Sequence, residues 1–174
     1  GDHMQKAVQE GNYQGVSITR VTNPREKSQI CEEVLRALPQ WFGIEEATRS
    51  YILGVAQTDF FVIRLGPLAI GFISLVHHNE FTSEIYCMGL FQEVHGRGLG
   101  KQLLNEAENF LKGQRKKFLT VKTLGDSFPD PGYERTKQFY RAVGFIPLEE
   151  STEIWGPQVP CLFMVKVLSQ GAIE

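Results

Sequence analysis

The segment His95-Gly96-Arg97-Gly98-Leu99-Gly100-Lys101 alternates glycine with larger residues and carries two cations. Glycine permits backbone conformations closed to other residues and lets main-chain N–H groups come close to a ligand. A helix that starts directly behind such a turn adds unpaired amides and a partial positive charge. A strand, a glycine turn and a helix N-terminus therefore form a natural cradle for a phosphate or pyrophosphate. Two well-known versions can be tested by spacing. A dinucleotide fingerprint counted from Gly96 requires glycine where Lys101 stands, and counted from Gly98 it requires glycine or alanine where Leu103 stands. A nucleoside-triphosphate loop ending at Gly100-Lys101 requires glycine at His95 and a hydroxyl residue at Gln102. Both fail, which leaves a different phosphate cradle or a plain glycine turn.

The elements around this turn follow from periodicity and punctuation. Residues 17–21 are β-prone. Asn23-Pro24, with Glu26 following, reads as a helix start, and Cys31, Val34, Leu35 and Leu38 make one apolar face of a helix that Pro39 stops. Trp41-Phe42-Gly43 reads as an aromatic loop and residues 45–56 as a second helix. Residues 59–65 and 68–77 are strands joined by Gly66-Pro67, hence a hairpin, and 83–91 is the next strand. Residues 98–112 place Leu99, Leu103, Leu104, Ala107, Phe110 and Leu111 on one helical face. A buried-type strand over 118–124, a Gly/Pro-rich loop over 125–132, a helix over 133–143 and strands near 146–154 and 161–168 complete the chain. The order β-αα-βββ-α-β-α-ββ predicts an α/β (α+β) fold, a mixed sheet with helices on both faces.

Composition bounds the function. With 174 residues, 42% hydrophobic, the chain suits one domain that needs no disulfide or metal staple. The 18 Lys+Arg against 20 Asp+Glu give a net charge of −2, which argues against nucleic acid as a partner found by bulk electrostatics. No apolar run approaches the roughly 20 residues that span a bilayer, so no membrane partner is expected. Cys31, Cys87 and Cys161 show no CxxC spacing, so no metal site is expected and a reducing, cytoplasmic setting is. Residues 1–4 read as a cleavage scar, 5–16 as a lead-in, 17–168 as the domain and 169–174 as a tail. The run Lys112, Arg115, Lys116, Lys117 reads as a solvated, dipole-compensating helix end.

His95-Gly96-Arg97-Gly98-Leu99-Gly100 resembles the Gln/Arg-x-x-Gly-x-Gly/Ala signature of the GNAT superfamily of acetyl-CoA-dependent N-acetyltransferases, with His95 in place of the Gln or Arg. Phe139-Tyr140-Arg141-Ala142-Val143-Gly144-Phe145 is similar to the family's second segment, Phe-Tyr-x-x-x-Gly-Phe. Element order agrees over about residues 17–168, and Trp41 to Glu46 with Trp155-Gly156 and Pro160 to Leu162 look like a bacterial branch. The resemblance implies a mostly antiparallel sheet of six to seven strands, splayed between the fourth and fifth. It also implies acetyl-CoA as the acyl donor, a small-molecule amine as acceptor, no metal, and a homodimer as one open oligomeric state.

The chemistry then asks for three things. A lysine-like amine is mostly protonated at pH 7, a handicap of roughly 4.6 kcal/mol, so a base is useful. The tetrahedral oxyanion needs donors, and the departing thiolate needs a proton. By the resemblance, Glu84 on the strand leading to the glycine turn is the candidate base, alone or through water, with Glu80, His77, His78 and the more distant Asp126 as rivals. Tyr140 is the candidate acid toward the coenzyme sulfur, although Phe139, Tyr140 and Val143 also fit a packing face. Met88 and Leu90 are expected to offer main-chain contacts around Gly89, with the Leu90 N–H as oxyanion donor. Gly89 itself equally suits a strand making room for a neighbour. His95, Gly96, Arg97, Gly98, Leu99, Gly100 and Lys101 are expected to hold the coenzyme phosphates. Trp41 and Phe42 are candidates for the acceptor pocket or for core or dimer contacts. Cys87 is expected to be a buried structural thiol. A module that binds acyl-CoA without turnover and a protein acetyltransferase are the competing functions.

Overall fold

The computed structural model describes residues 15–127 and 130–168. The expected cleavage scar, the C-terminal tail and most of the lead-in lie outside those residues. Strand β1 (Val16–Val21) is followed by helix α1 (Pro24–Arg36), which starts where the sequence says it should: Asn23 Oδ1 accepts the Glu26 N–H at 3.0 Å. The helix is capped at Ala37, two residues short of Pro39, in line with the bias of a pre-proline residue away from helix. Helix α2 (Glu45–Gly54) runs into a short 3-10 turn, Val55–Gln57. Strands β2 (Asp59–Leu65) and β3 (Leu68–His77) form the expected antiparallel hairpin, and β1 adds to β2 antiparallel. Then come β4 (Thr82–Leu90), helix α3 (Leu99–Gly113), β5 (Phe118–Leu124), helix α4 (Pro131–Ala142), β6 (Ile146–Ser151) and β7 (Cys161–Val167). The strand order is β1-β2-β3-β4-β5-β7-β6. The β4–β5 pair is parallel over the register from Thr82↔Phe118 to Ile85↔Val121, and its end there is the anticipated splay.

The chain divides into two compact units, Gly1–Val76 with Tyr86–Asn109 and His77–Ile85 with Phe110–Glu174. In the first, Val34, Leu35, Val55, Phe60, Val62 and Phe72 build the core, with Phe60 stacked on Phe72 at 5.1 Å. Burying each such side chain contributes about 1.5–3 kcal/mol before entropy is counted. Gly89 belongs to this packing. A methyl group there would sit 3.1 Å from Val34 Cγ1 and 3.3 Å from Leu38 Cδ1, so the glycine lets α1 lie against the strand. The reading of Gly89 as room for a neighbour is the one the packing carries.

In the second unit, β7 pairs antiparallel with β5 over its whole length and with β6 on its other side. β6 ends the strand order, which is where Pro147, lacking an N–H, is tolerated. Helix α4 starts two residues earlier than periodicity suggested, because Asp130 Oδ1 accepts from Gly132 N at 2.9 Å and from Tyr133 N at 3.2 Å, with Pro131 in the first turn. Within the basic run Lys112 lies in the last turn of α3 and Arg115 is exposed, as a solvated helix end requires, but Lys116 departs from that reading. Lys116 is buried and its Nζ donates to the Asn79 carbonyl at 2.6 Å, Lys117 lies 5.3 Å from the Phe81 ring centroid, and Arg115 takes the left-handed conformation (φ 64°) that closes α3.

Candidate active site

In the first unit, β4 passes through a 3-10 turn, Gln92–Val94, and His95 re-extends the chain (φ −65°, ψ 151°). Gly96 (φ 74°) and Gly98 (φ 78°) are both left-handed, and α3 begins at Leu99. A Cβ added at either glycine would meet nothing within 4 Å, so the backbone conformation, not crowding, demands glycine here. Leu99 is buried and pins the helix start, whereas Arg97 and Lys101 are exposed. The first helical hydrogen bond runs from Gln102 N to Gly98 O at 3.1 Å, so the amides before it have no partner within the helix. The arrangement suits an anion.

The His95 side chain is turned into the protein. Its Nε2–H donates to the Leu90 carbonyl at 2.8 Å, while the Phe91 N–H donates to the Ile70 carbonyl at 2.9 Å. The Leu90–Phe91 peptide is thus held from both edges, and of the two main-chain groups of Leu90 its carbonyl is spent inside the protein. The His95 ring also meets Trp41 edge-on at 5.7 Å. Trp41 therefore sits against the glycine turn, two features the sequence did not connect. Phe42 instead packs edge-on against Tyr51 at 6.0 Å, and Tyr51 against Tyr86 at 5.4 Å.

In the second unit, Glu84 is buried on β4 with three close hydrogen-bonding contacts. Its Oε1 accepts from His78 Nε2 at 2.6 Å, and Lys122 Nζ lies 3.2 Å from Oε2 and 3.4 Å from Oε1. The carboxylate side chain is 9% exposed and the His78 ring 47%. Two candidates that the sequence treated as rivals are one pair. His77 turns instead to Ser83 Oγ (2.7 Å), and Glu80 is exposed in the β3–β4 turn. Glu84, His78 and Lys122 line an open hollow of about 260 Å³.

Tyr140 is buried on α4, its ring edge-on to Phe145 at 5.4 Å and tilted against Phe139 at 5.5 Å. Asp126 is committed to Lys137 Nζ (2.6 Å) and Arg141 (3.3 Å). Burial pushes the Cys87 thiol well up, and that of Cys161 up to about 11, so neither supplies a thiolate near neutral pH. Among the described residues no group of three His, Cys, Asp or Glu could hold a metal ion, and no helix is long and apolar enough to cross a membrane.

Lys122 and Lys137 were missed from sequence. For each the signal was a lysine in apolar company, within a buried-type strand and on the Tyr133–Tyr140 stripe of α4. Lys137 is fully buried with Nζ on Asp126 (2.6 Å) and Glu134 (2.7 Å). Its own burial disfavours the charge, but hydrogen bonds to Asp126 and Glu134 outweigh that and raise its pKa, while the Lys137 hydrogen bond holds Asp126 below the usual carboxylate range. The Asp126 contribution to stability is present above the unfolded carboxylate value and lost as pH falls through the lower folded one. The Lys137 contribution is present below the unfolded lysine value and lost as pH rises through the higher folded one. Removing both carboxylates (Asp126→Asn with Glu134→Gln) is expected to cost about 2–3 kcal/mol in urea unfolding at pH 7, because it strands a buried ammonium. Lys137→Met, which leaves two half-exposed carboxylates to water, is expected to cost less.

Residues 56–147, just over half of the chain, match the family model described as an acetyltransferase (GNAT) domain. A GNAT-family protein from Desulfovibrio desulfuricans superposes with a TM-score of 0.76 at 15% identity, covering 88% of this chain and 99% of that one. A GNAT family acetyltransferase from Elizabethkingia anophelis with acetyl-CoA bound gives 0.69 at 15% identity, covering 89% and 99%. An aminoglycoside 6'-N-acetyltransferase complexed with coenzyme A gives 0.69 at 12% identity, covering 90% and 99%. These likenesses establish the fold. No curated protein matches the chain.

Proposed function

The chain belongs to the GNAT acetyltransferases, and from that premise we propose that it moves acetyl from acetyl-CoA directly onto a primary amine of a small molecule within a ternary complex. The observation that carries the reading is the turn between β4 and α3, where two left-handed glycines stand at the start of a helix flanked by Arg97 and Lys101. Backbone amides of residues 96 to 100 would take the coenzyme's phosphates, with the two cations adding charge-assisted bonds. Acetyl-CoA supplies the thioester. The amine nitrogen attacks its carbonyl carbon, a C–N bond forms, the C–S bond breaks, and one proton must leave nitrogen as one reaches sulfur.

Glu84, bonded to His78, is assigned the first proton, directly or through a water that it orients. Tyr140 is assigned the second, and the Leu90 N–H the transient oxyanion, with Met88 as a further main-chain contact on β4. Trp41, seated against His95, is assigned to the acceptor side of the turn, whereas the packing of Phe42 on Tyr51 favours the core. A small-molecule acceptor is supported by the aminoglycoside enzymes among the structural likenesses. Action in the cytoplasm is part of the same reading.

Acetyl-CoA at 100 times its Kd should stabilise the protein by about 2.7 kcal/mol, read as a rise in Tm. No shift with acetyl-CoA, other acyl-CoAs or free CoA would remove the donor assignment. Given turnover, Tyr140→Phe is expected to lower kcat about 100-fold, since it deletes the hydroxyl and keeps the ring against Phe145. Full activity in that variant would return Tyr140 to packing alone.

A further inference from the structure

The hollow beside Glu84 has a charge pattern that bears on which amine enters it. Lys122 Nζ is tied to the Glu84 carboxylate at 3.2 Å and lies 5.9 Å from the Phe163 ring centroid, and the side chain is two-thirds buried. An ammonium has three N–H donors, so the Glu84 carboxylate does not exhaust it. Phe163 and Leu148 give the hollow apolar lining and Thr120 a hydroxyl. Leu148 is 65% exposed, an apolar side chain open to whatever occupies the hollow. The volume, about 260 Å³, lies just below the roughly 300–1,000 Å³ of pockets for drug-sized ligands, which suits a molecule the size of an amino acid.

We infer that the hollow selects an amine that also carries a carboxylate and an apolar substituent. The carboxylate would meet Lys122, the apolar group would meet Phe163 and Leu148, and the amine would be turned to Glu84 and His78. This rests on the acetyl-transfer reading above and names the acceptor class for it. A polyamine or aminoglycoside fits poorly, because its additional ammonium groups would be held beside a fixed lysine with one carboxylate to share. An amine lacking the carboxylate leaves the spare donors of Lys122 facing an apolar group in a partly desolvated place. An α-amino acid with an apolar side chain matches both signs and the wall. Lys122 is thus the specificity-determining residue.

The experiment compares L-phenylalanine with phenethylamine, L-leucine with isoamylamine, and spermidine as the polycation, each with acetyl-CoA. The amino acid of each pair is expected to exceed its decarboxylated partner at least 10-fold in kcat/KM, mainly through KM, and to exceed spermidine by more. In Lys122→Met the ratio within each pair should fall to about one, and in Lys122→Arg it should largely persist. Using a ratio cancels any general damage from removing the partner of Glu84. Calorimetry on the wild-type protein with N-acetyl-L-phenylalanine and N-phenethylacetamide reads the hollow without turnover, and at least 10-fold tighter binding of the carboxylate is expected. A within-pair ratio near one in the wild type, a ratio that survives in Lys122→Met, or equal or absent binding of the two amides would overturn the inference. Failure of the acetyl-transfer reading is distinguishable, since it appears as no stabilisation by any acyl-CoA.

Discussion

Glu84→Gln is expected to lower kcat by about 100- to 10,000-fold with little change in acetyl-CoA affinity, measured as initial rates of thiol release at saturating acceptor. The range is that of a positioned general acid or base. Glutamine keeps the size and one carbonyl acceptor of the side chain but loses the negative charge. That charge is what His78 and Lys122 are bonded to, and on the proposed mechanism it would take the proton leaving the amine. Because Glu84 and His78 are joined at 2.6 Å, they should act as one unit. His78→Gln alone should lower kcat substantially, and the double variant should be little worse than Glu84→Gln, the non-additivity expected of residues that share one step. His77→Gln and Glu80→Gln serve as controls and should retain turnover, since His77 faces Ser83 and Glu80 is exposed in a turn. Undiminished turnover in Glu84→Gln would move proton acceptance to His78 alone or to unassisted water.

What the sequence made legible was local. Asn23-Pro24 announces α1 because a cap and the residue it caps are three positions apart, whereas Asp130-Pro131 starts α4 by the same device two residues earlier than apolar periodicity shows, within what the sequence reads as loop. The glycine turn is legible because two left-handed conformations in succession can hardly be written in any other residue. The pair His78–Glu84 was half legible. The two are six residues apart across the β3–β4 turn, but whether their side chains meet depends on how that turn is built. Lys122 was hidden for a stronger reason. It reaches Glu84 from β5, 38 residues away, and neither composition nor periodicity fixes the register of a parallel strand pair. Lys137 was hidden because an amphipathic pattern scores lysine as polar, while its stem and ammonium are both buried once Asp126 and Glu134 supply the counter-charge. Charge in this chain was easiest to misjudge where a long side chain crosses to a partner that sequence distance conceals, as Lys116 also does toward Asn79.

Replacing both Gly96 and Gly98 with valine is expected to weaken acetyl-CoA binding about 100-fold. The two residues have φ of 74° and 78°, a region that costs an ordinary L-residue about 1–2 kcal/mol and a β-branched one more. A Cβ added at either site would meet nothing within 4 Å, so the first carbon of a new side chain displaces no neighbour. The loss is expected to come from the backbone leaving its left-handed conformation at the two positions. At a concentration that gives the wild type about 2.7 kcal/mol of ligand stabilisation, a 100-fold weaker site would retain about 0.4 kcal/mol, so the acetyl-CoA shift in Tm should almost vanish. The asparagine variants separate conformation from bulk. Asparagine tolerates the left-handed region better than valine, so Gly96→Asn with Gly98→Asn should keep a larger part of the shift. Equal loss in the asparagine and valine pairs would mean that bulk at the ligand, rather than backbone conformation, sets the requirement for glycine. An undiminished shift in the valine pair would take the phosphates away from this turn altogether, and Arg97 and Lys101 with them.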